Sequence, residues 1–167
     1  MNKKNKSVNF EKFFALGVNA LVIPGNTDKN QLIELRQMFP NDTAGSPWLI
    51  YRIDSEVAKN RMEDFIAIVD GIIVSRRELA LSTNPALVPI LTKEMVQACH
   101  NRSKLAVVAS EMLGSMRFNA TPTRAEVSDI ANAVYDGADA IMLSEDVSSG
   151  KYAKKAYEIA DLLPNAL

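Results

Sequence analysis

The chain is poor in the residues that most often build a catalytic or structural centre. Its 167 residues include one cysteine, Cys99, and one histidine, His100. That excludes a disulfide framework and a cysteine-based metal cluster. Cys99, inside "VQACHN", reads as a small buried residue on a helix, and His100 beside it complements the helix dipole better than it serves as a ligand. A Ser–His–Asp triad fails, because this histidine lies on the wrong side of the chain's strand–helix pattern. No apolar run approaches the ~20 residues that a membrane-spanning helix needs. The basic start "MNKKNKS" is not followed by an apolar stretch of the secretory type, and its simplest reading is a frayed, solvated terminus. Neither sign of charge dominates: 19 Lys and Arg face 20 Asp and Glu, for a net charge of -1. A general grip on nucleic acid needs a clustered basic excess. Neither G-x-x-x-x-G-K-[ST] nor G-x-G-x-x-G occurs, so no nucleotide fingerprint is present. The expectation is a cytoplasmic protein with no nucleic-acid and no membrane partner.

What is present is a strong alternation. Hydrophobic residues make up 47 % of the chain, a globular composition that suits one domain over residues 1–167. Short β-branched runs recur at Asn19–Pro24, Trp48–Ile53, Gly71–Ser75, Leu105–Ser110 and Asp139–Ser144. Most are continuously apolar, as parallel strands buried on both faces are. Between and after them, helical spacing predicts helices over Asp28–Phe39, Glu56–Ile68, about Pro85–Asn101, Thr123–Asp136 and Lys151–Leu163. A first helix around Val8–Leu16 ends at Gly17, a C-cap residue. "NTDKNQ" offers Asn26, Thr27 or Asp28 as an N-cap, and Thr123 three residues before Glu126 has the spacing of a capping box. The fold class is therefore α/β, a parallel sheet of five strand–helix units. Periodicity leaves two architectures open: a partial (β/α)8 barrel, or an opened, doubly wound sheet. Both place their sites at the carboxyl ends of the strands.

Those ends carry chemistry. The second strand delivers Arg52, Asp54 and Ser55, and the third Ser75, Arg76, Arg77 and Glu78. The fourth delivers Ser110 and Glu111, and the fifth Ser144, Glu145 and Asp146. Asp54 with Glu78 can hold a hard divalent cation. Arg52 or Arg77 can clamp a phosphate or carboxylate, and Ser110 can donate a hydrogen bond to an anion. The competing reading is that strand-to-helix loops are polar in every α/β protein and that these charges are solvated or paired.

Longer stretches carry a resemblance. "NATPTRAEVSDIANAVYDGADAIMLSEDVSSGKY" (Asn119–Tyr152) closely resembles the late barrel segment of pyruvate kinases. "VVASEMLGSM" resembles that family's "ITATQMLxSM", "DGIIVSRRELAL" its "DGIMVARGDLG", and "LIYRIDS" its "IISKIEN", with weaker similarity through "GVNALVIPG". The similarity runs in order over nearly the whole chain, as the last five strands of a (β/α)8 barrel. The family's early strands, lid and carboxyl-terminal domain have no counterpart in it.

The resemblance implies transfer of the phosphoryl group of phosphoenolpyruvate to ADP, with Mg2+ and usually K+. It implies a catalytic role for Arg52, which aligns with the lysine that steadies the transferring phosphoryl group and the enolate. It implies metal ligation by Asp54 and Glu78, and substrate binding by Arg77, Glu78 and Ser110. Arg77 stands where the family has a glycine whose backbone approaches the substrate, and Glu145 replaces another glycine. Arg for Lys keeps the charge on a rigid group that does not shed a proton. Each carboxylate differs from the family's by about one methylene, in opposite senses, and Mg2+ is strict about geometry. The substitutions gather where chemistry belongs, while "PTRAEVSDIANAVYDGADAIMLS" is well kept. The expectation is thus a binding or regulatory subunit without catalysis of its own, for phosphoenolpyruvate or a 2-oxo acid, with Mg2+ on the two carboxylates and no K+ site. The alternative is a Mg-dependent phosphotransferase or enolate-forming enzyme completed by another subunit. A sharper form of the first reading has Arg77 pair with Asp54 and Glu78 in place of the metal. A five-strand arc leaves its inner face and edges open, so a homo-oligomer or another partner covering that face is expected.

Overall fold

The computed structural model describes residues 17–41 and 43–166. The helix expected at Val8–Leu16 and the basic start lie outside them. Five strands, β1 (Ala20–Ile23), β2 (Trp48–Ile53), β3 (Gly71–Ser75), β4 (Leu105–Ala109) and β5 (Ala140–Met142), form one sheet in the order 1-2-3-4-5. Every neighbouring pair is parallel. The order never reverses, so each crossover steps the same way and the helices collect on one face. A doubly wound sheet needs a reversal; this winding is that of a barrel arc.

Register fixes which side chains face where. Leu49, Tyr51, Ile53, Ile72, Val74, Ala106 and Val108 point towards the helices and join the main core. The alternate residues Ile50, Ile73, Val107 and Ala109 form a second, smaller apolar cluster on the other face. They share that face with Val22, which pairs with Ile50, and Met142, which pairs with Ala109. Val22 and Met142 are 52 % and 43 % exposed, whereas Ile50 and Ile73 are buried. The strands are therefore apolar on both faces, which explains why they read as continuous runs and not as alternation.

The helices are α1 (Lys29–Met38), α2 (Glu56–Phe65), α3 (Arg76–Ala80), α4 (Val88–His100), α5 (Arg124–Tyr135), α6 (Glu145–Ser148) and α7 (Ala153–Ala166). Of the three cap candidates before α1, Asp28 takes the position: its carboxylate accepts from the Gln31 amide at 2.9 Å, and Gln31 completes a capping box. Thr123 and Glu126 form the second box, before α5. The helix expected from Pro85 begins as a 3-10 turn, Pro85–Leu87, capped by Asn84. Cys99 is fully buried and His100 ends α4. No helix among the described residues is long and apolar enough to cross a membrane.

Two aspartates tie the strands together at their amino-terminal ends. Asp70, just before β3, accepts from the Leu49 amide at 2.7 Å and pairs with Arg36 at 2.7 Å. Asp139, just before β5, accepts from the Ala106 amide at 2.8 Å and donates its own amide to the Ala106 carbonyl. In both places the carboxylate satisfies an amide of the preceding strand. Replacing Asp70 by Ala orphans the Leu49 amide and removes the counter-charge of the mostly buried Arg36, whose guanidinium keeps the Ile68 and Phe39 carbonyls. It is expected to lower stability by about 2–4 kcal/mol in urea titration.

Glu126 is held more firmly than a capping box requires. Its carboxylate accepts from the Ser115 amide and hydroxyl, both at 2.6 Å, and from the Thr123 amide and hydroxyl, both at 2.8 Å. Burial pushes its pKa up, but these hydrogen bonds outweigh it and hold the group below the ordinary carboxylate value. A depressed carboxyl contributes stability that is fully present above its unfolded pKa of about 4.3 and lost as pH falls through the folded value. Thermal melts of Glu126→Gln are therefore expected to show a shallower loss of stability below about pH 4.3 than the unsubstituted chain.

Candidate functional site

The one-way winding brings the carboxyl ends of neighbouring strands together around a cavity of ≈ 230 Å³. Its apolar lining comes from Val22, Ile73, Ala109, Met142 and Leu143, and its polar groups are Arg52, Ser75, Glu78, Ser110 and Ser144. Four larger clefts lie elsewhere among the described residues, two of them beside charged groups of the fold. One, of ≈ 370 Å³, runs between α4 and α5 and carries the ion pairs Arg76–Asp129 and Lys93–Asp136 on its walls. The other, of ≈ 590 Å³, lies at the amino-terminal strand ends beside Asp70 and Asp139, the end of such a fold that serves stability. The cavity of ≈ 230 Å³, though smaller, gathers the strand-end groups, and so it is the candidate site.

Arg52 organises it. The last residue but one of β2, it faces the open side, in register with Ile73. Its Nε lies 3.4 Å from Asp54 Oδ2 and its Nη2 4.0 Å from Glu78 Oε1. The Nε atom is buried and has no aligned hydrogen-bond acceptor. The 3.4 Å approach to Asp54 is a charge contact, not a hydrogen bond. Glu78 uses its other oxygen, Oε2, to accept from the Ser110 hydroxyl at 3.1 Å.

Asp54 is placed by close packing. A Cβ added at Gly25 would lie 2.4 Å from Asp54 Oδ1 and 2.8 Å from the Arg52 carbonyl. The Gly25 carbonyl in turn accepts from the Tyr51 hydroxyl at 2.9 Å. Burial pushes that phenol up to about 12, with Arg61 opposing and Asp54 adding, so it stays a neutral donor that fixes the loop after β1 against β2.

The arginine pair divides differently from expectation. The short helix α3 starts at Arg76 itself. Arg76 turns towards β4, donating to the Ser110 carbonyl at 2.6 Å and pairing with Asp129 at 2.8 Å. Arg77 is exposed and makes no ion pair among the described residues. The pairing with Asp54 and Glu78 expected of Arg77 is made by Arg52, because one residue of helix rotation carries Arg77 away from the cavity. Arg52, Asp54, Glu78 and Ser110 thus come together, while Arg77 stands beside them on the solvent side of α3.

The sequence places Arg76, Ser75 and Ser144 at strand ends but assigns none of them a role. The signal for both serines is that each ends a strand run. Ser110 sits in the left-handed region at φ 70°, followed by Glu111 at 57° and Leu113 at 57°. Such backbone is uncommon for residues other than glycine, and it ends β4 at Ala109.

A parallel arc whose strand ends converge on a cavity lined by a guanidinium and a carboxylate defines a protein of the barrel class, with its candidate site at the carboxyl end of the strands. The family model described as pyruvate kinase, barrel domain, matches residues 5–157. The chain belongs to the pyruvate kinase family. It is 40 % identical over 144 residues to a pyruvate kinase of Agrobacterium vitis, covering 86 % of this chain and 29 % of that protein. It is 33 % identical over 132 residues to a pyruvate kinase of Sporosarcina psychrophila, covering 79 % of this chain and 22 % of that protein. The chain thus spans less than a third of the length of these curated relatives.

Gly25→Ala tests the packing of Asp54. The new methyl has backbone as well as the carboxylate in its way, so the substitution is expected to cost about 1–3 kcal/mol in chemical denaturation. An unchanged midpoint would show that the loop after β1 yields freely.

Proposed function

We propose that the chain is a binding or regulatory subunit of the pyruvate kinase type, which holds a small carboxylate anion such as phosphoenolpyruvate or a 2-oxo acid without turning it over by itself. The observation that carries this reading is the Arg52 guanidinium, set between two carboxylates and over a cavity rimmed by Ser75, Ser110 and Ser144. Arg52 stabilises negative charge, and the hydroxyls orient a carboxylate. Among the described residues, Glu78 is the other ionisable group that lines the cavity. Phosphoryl transfer rests on several positive charges placed around the moving group; this cavity supplies one.

Arg52, Asp54 and Glu78 together carry one net negative charge, so an anion enters only with a further positive charge. Glu78 lines the cavity and Asp54 lies behind it against Arg52; two such carboxylates are a donor set that suits Mg2+, which keeps several waters and takes one or two carboxylates. We therefore assign Asp54 and Glu78 as its ligands, with Arg52 left to the anion; the bound ion supplies a Lewis acid for ligand oxygens. Arg77, one residue before Glu78, repels that ion from the solvent side and weakens its binding.

The second reading is a Mg-dependent phosphotransferase or enolate-forming enzyme completed by another subunit. It is favoured by the relatives, which are pyruvate kinases. Both readings include an association. β1 and β5 are the edges of the described sheet, and Val22 and Met142 are half exposed on its open face. A second copy, or another chain, is proposed to cover that face, and sedimentation reports the mass.

Calorimetric titration with oxalate separates these cases from an inert loop. Binding is expected in Mg2+, weakened about tenfold or more by Arg52→Ala and by Asp54→Asn, and strengthened for Mg2+ by Arg77→Gly. A coupled assay with phosphoenolpyruvate, ADP, Mg2+ and K+ is expected to show no turnover. Turnover abolished by Arg52→Ala would establish the second reading, and absence of oxalate binding would remove both.

A further inference from the structure

The other clefts, the acidic lip at Glu111, Glu126 and Asp129 included, carry no ligand signal of their own, but the wall formed by α3 lends Arg76 to the α4–α5 groove and Glu78 to the candidate site. Arg76 lies in that wall, its side chain 11 % exposed. One nitrogen donates to the Ser110 carbonyl at 2.6 Å, a second reaches the Ala109 carbonyl at 3.4 Å, and the third pairs with Asp129. Two residues further along the same helical turn, Glu78 accepts from the Ser110 hydroxyl. Ser110 is therefore gripped at both ends, its carbonyl by Arg76 and its hydroxyl by Glu78. Its left-handed φ of 70°, shared by Glu111 and Leu113, is a conformation that persists only where the surroundings impose it.

We propose that Arg76 is the positioning residue of the site: by holding the Ser110 carbonyl it keeps the strained turn after β4 closed and aims the Ser110 hydroxyl into the cavity. The inference rests on the proposed anion site and adds to it a residue that does not touch the ligand. Arg76 also pins β4 to α5 through Asp129, so a purely structural role is the rival, and the two differ in how they couple to Ser110.

A double-mutant cycle on oxalate binding in Mg2+ separates them. Arg76→Ala is expected to weaken binding about tenfold in the unsubstituted chain and less than about twofold in a Ser110→Ala background. Asp129→Asn, which breaks the ion pair and leaves the carbonyl contact, is expected to leave affinity within about twofold. Equal losses from Arg76→Ala in both backgrounds overturn the proposal. Where Arg76→Ala does not fold, Arg76→Lys takes its place in the cycle, since its single head cannot span two carbonyls and an aspartate. The Cα chemical shift of Ser110 reports the left-handed conformation without any ligand. It is expected to move towards the ordinary range in Arg76→Lys and to stay put in Asp129→Asn. An unmoved shift overturns the proposal even if the chain binds no oxalate, an outcome that would by itself remove only the proposed function.

Discussion

Five parallel strands that step across a sheet in one direction can have helices on only one of its faces, and the rest of the molecule follows from that constraint. The helices bury Leu49, Tyr51, Ile72 and Val108 on their side. The other side keeps only the small cluster of Ile50, Ile73, Val107 and Ala109. Because every strand runs the same way, every strand-end loop opens at the same end. Side chains far apart in sequence, Arg52, Glu78, Ser110 and Ser144, therefore line one cavity. The opposite end does different work, with Asp70 and Asp139 tying strand to strand.

Within that frame, the site is an exercise in balancing charge. One guanidinium lies in ion-pair range of two carboxylates that no other cation approaches as closely among the described residues. The balance is left one charge short, which under the proposed function makes a cation and an anion interdependent there. Arg76, by contrast, is fully engaged with backbone and Asp129, and it serves geometry more than charge.

Much of the fold was legible in the sequence. Trp48–Ile53 and Gly71–Ser75 appear as strands with the expected bounds, because continuous apolar runs leave few alternatives. The pyruvate kinase resemblance is matched by the family. The winding was not legible, since strand order is a property of long-range pairing that periodicity does not encode. Nor was the division of labour between Arg76 and Arg77. Which of two adjacent arginines faces inward depends on where a five-residue helix begins, and "SRREL" carries no cap that fixes it: Ser75 makes no side-chain capping bond. The left-handed turn at Ser110 was hidden for a similar reason, as no glycine marks it.

The central claim is that the strand-end cavity is a small-anion site organised by Arg52. The most direct measurement is an amide and arginine side-chain NMR titration with oxalate in Mg2+. Shifts concentrated at Arg52, Ser75, Glu78, Ser110 and Ser144 are the predicted result. Shifts confined to the amino-terminal cleft around Trp48 and His100, or none at all, would contradict it.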